Sequence, residues 1–173
     1  MDVLSDGKDW TWVVERPCPE CGFDGSRCVA TDVAGLIRAN AAAWAELHRA
    51  GRIVAGRPGP STWSALEYAC HVRDVYRRYD ERVALMVGQD DPLFPNWDQD
   101  ASAVQERYEE QDPDVVVADL VANAEAMANT FDALGDGQWA RPGRRSDGAS
   151  FTIDTISRYL VHDPIHHLWD VTR

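Results

Sequence analysis

A chain of 173 residues suits one domain, and 45% hydrophobic residues with seven tryptophans give that domain enough bulk for a packed core. The net charge of -12 repels polyphosphate, so a nucleic-acid partner is not expected. No run of 18 or more apolar residues occurs, so no membrane-spanning helix is expected either. The opening stretch carries Asp2, Asp6 and Asp9 and no apolar run, unlike a signal peptide, so the expected location is the cytoplasm. Lys8 is the only lysine among 17 basic residues, a skew that points to high-GC bacterial coding and not to function.

Residues 1–30 read as an irregular arm. Trp10, Trp12, Val13 and Val14 suit a short extended piece, and Pro17, Pro19 and Gly22 punctuate the remainder of the arm. Thr31 or Asp32 can cap a first helix, along which Val33, Leu36, Ile37, Ala41, Trp44 and Leu47 form an apolar stripe ending near Gly51. Arg57 to Pro60 is a loop. Ser64 and Glu67 have the spacing of a capping box, and Trp63 and Tyr68 that of a hydrophobic staple. The second helix they start carries Leu66, Ala69, Cys70, Tyr76, Tyr79, Val83 and Met86 on one stripe and stops at Gly88. Residues 89–112 are polar and acidic, with some helix expected within Ala101–Glu110; a connection this long is often functional.

Asp112 and Pro113 then form a cap and first-turn pair. Val116, Leu120, Ala124, Met127, Phe131 and Leu134 mark a third helix, ended by Gly135 and Gly137. Pro142 to Gly148 reads as a basic loop. A fourth helix runs from about Thr152 to near the C-terminus, with Ile153, Ile156, Leu160 and Val171 toward the core. No internal repeat and no strongly periodic strand occurs. Four amphipathic helices make an all-α four-helix bundle over 31–173, preceded by the arm at 1–30.

The chemistry-bearing residues cluster on the last helix. His162 and His166 are four apart, so both imidazoles rise from one face about a turn apart. His71 lies on the second helix, which a bundle can bring alongside. Three histidines would leave a metal at least one open position, the pattern of a catalytic site. Spacing alone is a weak signal, and a polar helix face or a satisfied core histidine accounts for it more readily than a metal does. His48 reads as a surface residue, and His167 as a supporting or packing residue rotated away from His162. Pro164, between the two ligands, is expected to kink the helix or to mark a tolerant end of it. Asp74, one turn from His71, is either an orienting carboxylate or a solvated one.

Cys18-Pro19-Glu20-Cys21-Gly22 is similar to one knuckle of a zinc ribbon. Cys28 is a candidate third ligand, and a fourth is missing unless a histidine or Cys70 folds across. The alternatives are reduced thiols in a turn or an adventitious disulfide, and Cys70 itself reads as core filler.

Three separated stretches carry a family resemblance. Residues 63–75, around Glu67, His71 and Asp74, resemble the second-helix signature of the DinB/YfiT-like superfamily. Residues 159–171 look like its C-terminal H-x-x-x-H helix, and Trp139-Ala140-Arg141-Pro142-Gly143-Arg144 looks like the loop before it. The resemblance implies a four-helix bundle with an unusual connection order, a zinc or nickel site at His71, His162 and His166, and a homodimer. It also implies a metal-dependent, thiol-using S-transferase or isomerase acting on a small electrophile, with mycothiol or bacillithiol as the thiol. In such a site Arg78, Arg144 and Arg145 are candidates to meet a thiol cofactor, and Trp97 is a candidate lid residue. A metal-dependent hydrolase, and a non-catalytic metal-binding, stress-associated or dimerisation module, are the alternatives. The cysteine arm and Pro164 exceed the common family pattern.

Overall fold

The computed structural model describes residues 10–173; the expectations that rest on Asp2, Asp6, Lys8 and Asp9 lie outside the described residues. Four long helices dominate: α1 (Ala30–Arg49), α2 (Ala65–Gly88), α4 (Pro113–Asp132) and α5 (Ile153–Thr172), with a short α3 (Gln99–Gln105) in the α2–α4 connection. Their starts follow local chemistry. At α2 the Ser64 hydroxyl accepts from the Glu67 amide at 3.1 Å and the Glu67 carboxylate accepts from the Ser64 amide at 2.8 Å. Trp63 and Tyr68 meet edge to face at 5.6 Å, completing the staple. Asp112 caps α4 by accepting from Asp114 at 2.9 Å, and Thr152 caps α5. At α1 the expected cap shifts: the helix begins at Ala30, and Asp32 sits in its first turn, where it accepts from the Val29 amide at 3.4 Å. Among the described residues, no helix is long and apolar enough to cross a membrane.

Helices α1 and α2 do not pack side by side. The principal contacts run α1 to α4, α4 to α2, α2 to α5 and α5 to α1, so α1 faces α2 across the bundle diagonal. Trp44, Leu66, Val83, Leu120, Met127, Ile156 and Leu160 fill the shared interior and are essentially inaccessible. Burial of such side chains, about 1.5–3 kcal/mol each, is the main force holding the helices together. Buried Asn40 ties three of them: Tyr76 of α2 donates to its Oδ1 at 2.9 Å, and its Nδ2 donates to the Pro164 carbonyl of α5 at 2.9 Å. Helix α5 runs through Pro164 to Thr172 as one element.

Two local expectations are corrected. Pro142 to Gly148 is not a simple loop: β2 (Pro142–Arg145) pairs antiparallel with β3 (Ser150–Thr152), and β1 (Leu93–Phe94) adds in parallel to β2. Strands of two to four residues are too short to show an alternating pattern. The small sheet lies against the end of α2, where Gly143 leaves room for Met86; a Cβ there would come within 2.7 Å of Met86 Cγ. Arg141 closes the same end, donating to the Met86 and Gln89 carbonyls at 2.6 Å each. The arm also differs from expectation, because Thr11–Val14 forms a 3-10 turn and not an extended piece. That turn and a second one, Gly25–Arg27, both pack on α5.

Candidate metal centres on the last helix

Successive residues of an α-helix are about 100° apart, so α5 presents two neighbouring stripes: His162 with His166, and Asp163 with His167. The structure does not bring His71, His162 and His166 together. Among the described residues, ligand-type atoms instead gather in two groups, each with its atoms within 4.8 Å of one another: His71, Asp163 and His167 in one, and Cys18, Cys21, His162 and His166 in the other. The division follows from the rotation of α5. Its Asp163/His167 stripe faces α2, which carries His71, and its His162/His166 stripe faces the arm.

In the first group His71 Nε2 lies 3.1 Å from Asp163 Oδ1, and His167 Nε2 lies 3.6 Å from the same oxygen. The far nitrogen of His167, Nδ1, is anchored 3.1 Å from Asp170 Oδ2. Such a carboxylate fixes the ring orientation and raises the basicity of the nitrogen facing a metal. Burial pushes the Asp163 carboxyl up, but attraction to His71 and His167 outweighs it and holds the group well below the ordinary carboxylate range. His71 is fully buried, and its Nδ1 has no hydrogen-bond partner among the described residues. Trp97 stacks on the His71 ring at 5.0 Å and 10°, Trp63 approaches it at 5.5 Å, and Tyr68 covers His167 at 4.9 Å. Two imidazoles and an ionised carboxylate in reach of one point fit a divalent metal.

In the second group Cys18 Sγ lies 3.6 Å from His166 Nδ1. The other nitrogen of His166, Nε2, faces Glu20 at 3.3 Å and Asp170 at 3.8 Å. Burial pushes the Cys21 thiol up to about 11 and His162 down to about 4. Trp10 leans over both histidines, with ring centroids 5.4 Å from His162 and 5.3 Å from His166.

Both groups border one cavity of about 1240 Å³. His167, Asp163, Tyr68 and Trp63 line it beside the first group; Trp10, Glu20, His162 and His166 line it beside the second. Arg82, Arg145 and Tyr159 line it farther along.

Several expected roles change. Asp74 does not orient His71: it is buried, accepting from Arg73 at 3.0 Å and from the Tyr108 hydroxyl at 2.5 Å, and so braces α2 against the α2–α4 connection. Burial pushes that carboxyl up, yet Arg73 and Tyr108 hold it below the ordinary range. Cys28 is buried in the core, apart from Cys18 and Cys21. Cys70 is buried too, as core filler. Trp97 is a fixed wall, its indole N–H donating to Ser102 at 2.6 Å and Arg78 lying over its ring. Arg144 pairs with Asp91 at 2.8 Å, leaving Arg145 as the one of the three arginines that borders the cavity. His48 pairs with Asp114 at 2.9 Å on the bundle surface. Asp163, Asp170 and Glu20 were not anticipated as site residues, and His167 is more than a supporting residue. The signal available for the first was Asp163-x-x-x-His167, the same four-residue step as His162-x-x-x-His166.

No curated protein matches the chain. A solved structure, YfiT from Bacillus subtilis, described as a probable metal-dependent hydrolase with an unusual four-helix bundle topology, superposes with a TM-score of 0.73 at 15% identity over 91% of this chain and 93% of that one. At that identity the likeness shows the fold alone. The DinB superfamily model matches residues 30–171, the bundle without the cysteine arm, and the chain therefore belongs to the DinB superfamily.

Proposed function

We propose that the chain is a metal-dependent enzyme that activates a small thiol for S-transfer to, or isomerisation of, a small electrophile, with zinc or nickel held by His71, Asp163 and His167. The observation that carries this reading is the convergence of two imidazoles and an ionised carboxylate at the wall of a large cavity. A bound metal would act as a Lewis acid, lowering the pKa of a thiol or water presented from the cavity. The chain's own residues do the rest. Asp170 holds His167 in one orientation. Trp97 and Trp63 enclose His71 and exclude water from its side of the site. Arg82 and Arg145, the latter paired with Asp147 at 2.9 Å, offer guanidinium donors at the cavity wall to the polar groups of a thiol such as mycothiol or bacillithiol. A volume of about 1240 Å³ leaves ample room for a small thiol and its substrate.

Hydrolysis is the second reading. It is favoured by the donor set, since two histidines and a carboxylate are the ligands of several zinc hydrolases, and by the description of YfiT. Tag-free protein loaded with zinc or nickel, assayed with model electrophiles with and without low-molecular-weight thiols, separates the two. Thiol-dependent consumption of electrophile, lost in Asp163→Asn and His167→Ala, is the expected result. Turnover of esters or amides without thiol selects hydrolysis. Metal binding unaffected by His71→Ala, Asp163→Asn and His167→Ala overturns both.

A further inference from the structure

We infer that Cys18, Cys21, His162 and His166 form a second, closed zinc site that fastens the N-terminal arm to α5. This inference is independent of the reaction proposed above and uses none of its metal ligands. Four ligand atoms of the types zinc prefers lie within 4.8 Å of one another. Zinc with bonds of 2.3 Å to sulfur and 2.0–2.1 Å to nitrogen places tetrahedral ligands roughly 3.3–3.8 Å apart. The Cys18 Sγ to His166 Nδ1 separation of 3.6 Å falls inside that range.

Three further observations point to an ion at this place. The Nε2 of buried His162 has no hydrogen-bond partner among the described residues, a costly condition that a metal bond would relieve. The arm is folded as a metal knuckle: the Cys18 amide donates to the Phe23 carbonyl at 2.8 Å, the Gly22 amide donates to the Cys18 carbonyl at 3.0 Å, and Gly22 takes the left-handed φ of 76° that this turn requires. Finally, His166 presents Nδ1 to Cys18 while its Nε2 faces the Glu20 and Asp170 carboxylates, the arrangement by which proteins orient a metal-binding imidazole.

The ligand set is complete at four, and Trp10 and Phe23 pack against His162. A site whose four positions are all filled by protein ligands is structural, not catalytic. Its consequence is architectural. Trp10, Thr11, Trp12, Val14, Glu15 and Glu20 form one side of the cavity, and the zinc would hold that side in place. His162 and His166 alternate along α5 with Asp163 and His167, so fixing the first pair also fixes the rotation of the second. Asp170 anchors His167 at 3.1 Å and lies 3.8 Å from His166, so one carboxylate stands between the two groups.

The test is cobalt(II) titration of the reduced, tag-free, metal-free full chain. Thiolate-to-cobalt charge-transfer absorption should saturate at one equivalent. Cys18→Ser or Cys21→Ser should abolish it; Cys28→Ser, Cys70→Ser and His71→Ala should leave it intact, which separates this site from the one at His71. Absence of the band in the wild-type chain, or its dependence on Cys28 or Cys70, overturns the inference. Should the cysteine variants unfold, hydrogen exchange of the wild-type chain decides: zinc should protect residues 10–29, and unchanged exchange there overturns the inference.

Discussion

Buried Asn40 joins α1, α2 and α5 inside the core, and replacing it with alanine removes two buried hydrogen bonds at once. Its Nδ2–Pro164 and Oδ1–Tyr76 partners are each 2.9 Å away, and Asn40 is only 4% exposed. The Tyr76 hydroxyl and the Pro164 carbonyl would each lose a partner that water cannot readily replace. A buried group left unsatisfied costs about 1–3 kcal/mol, so with two such groups Asn40→Ala should cost about 2–6 kcal/mol in total. For a domain of this size, that lowers Tm by about 4–24 °C. Tyr76→Phe removes one of the two bonds and should cost about 1–2 kcal/mol. In the double variant the two losses should sum to less than their separate values, because the Tyr76 hydroxyl is already gone. Thermal unfolding followed by circular dichroism on the metal-loaded protein supplies the comparison. A loss below about 1 kcal/mol in Asn40→Ala, or strict additivity with Tyr76→Phe, would refute the bridging role.

Asp170→Asn should weaken the proposed site at His167, which its carboxylate anchors at 3.1 Å, by about 10–100-fold in competition with a chromogenic chelator, and the site at His166, 3.8 Å away, by less. A loss confined to one site would show that Asp170 serves that site alone. Glu67 gives an acid-side signature. Burial pushes its carboxyl up, but bonds from Arg57 and Ser64 hold it below its ordinary value of 4.5. The folded chain therefore keeps Glu67 ionised where the unfolded chain takes up a proton. Its contribution is complete above about pH 4.5 and is lost as pH falls through the lowered folded value. Urea unfolding from pH 7 to 3 should show a shallower acid loss in Glu67→Gln than in the wild-type chain, whereas parallel curves would remove Glu67 from the account.

The bundle was legible because its signals are local. Ser64 and Glu67 announce α2 within four residues, Asp112 and Pro113 announce α4, and each long helix repeats its apolar side chains at three- and four-residue steps. The β1–β2–β3 sheet was not legible, since its pairings join residues such as Leu93 and Arg144 through strands too short to carry a pattern. The candidate metal centres were legible in part. His162 and His166 announce ligands, but Asp163 and His167 have the same spacing, and spacing cannot say which stripe of α5 turns toward His71. That rotation is set by packing of α5 against α1, α2 and the arm. The Cys18–His166 approach joins residues 148 positions apart, so the knuckle's missing partners lay at the opposite end of the chain.

The most direct test of two metal centres on neighbouring stripes of α5 is an anomalous difference map, collected above the zinc absorption edge, from crystals of tag-free, metal-replete protein. Two peaks should appear, one among His71, Asp163 and His167 and one among Cys18, Cys21, His162 and His166. A single peak enclosed by His71, His162 and His166 would contradict the division of the histidines between two sites.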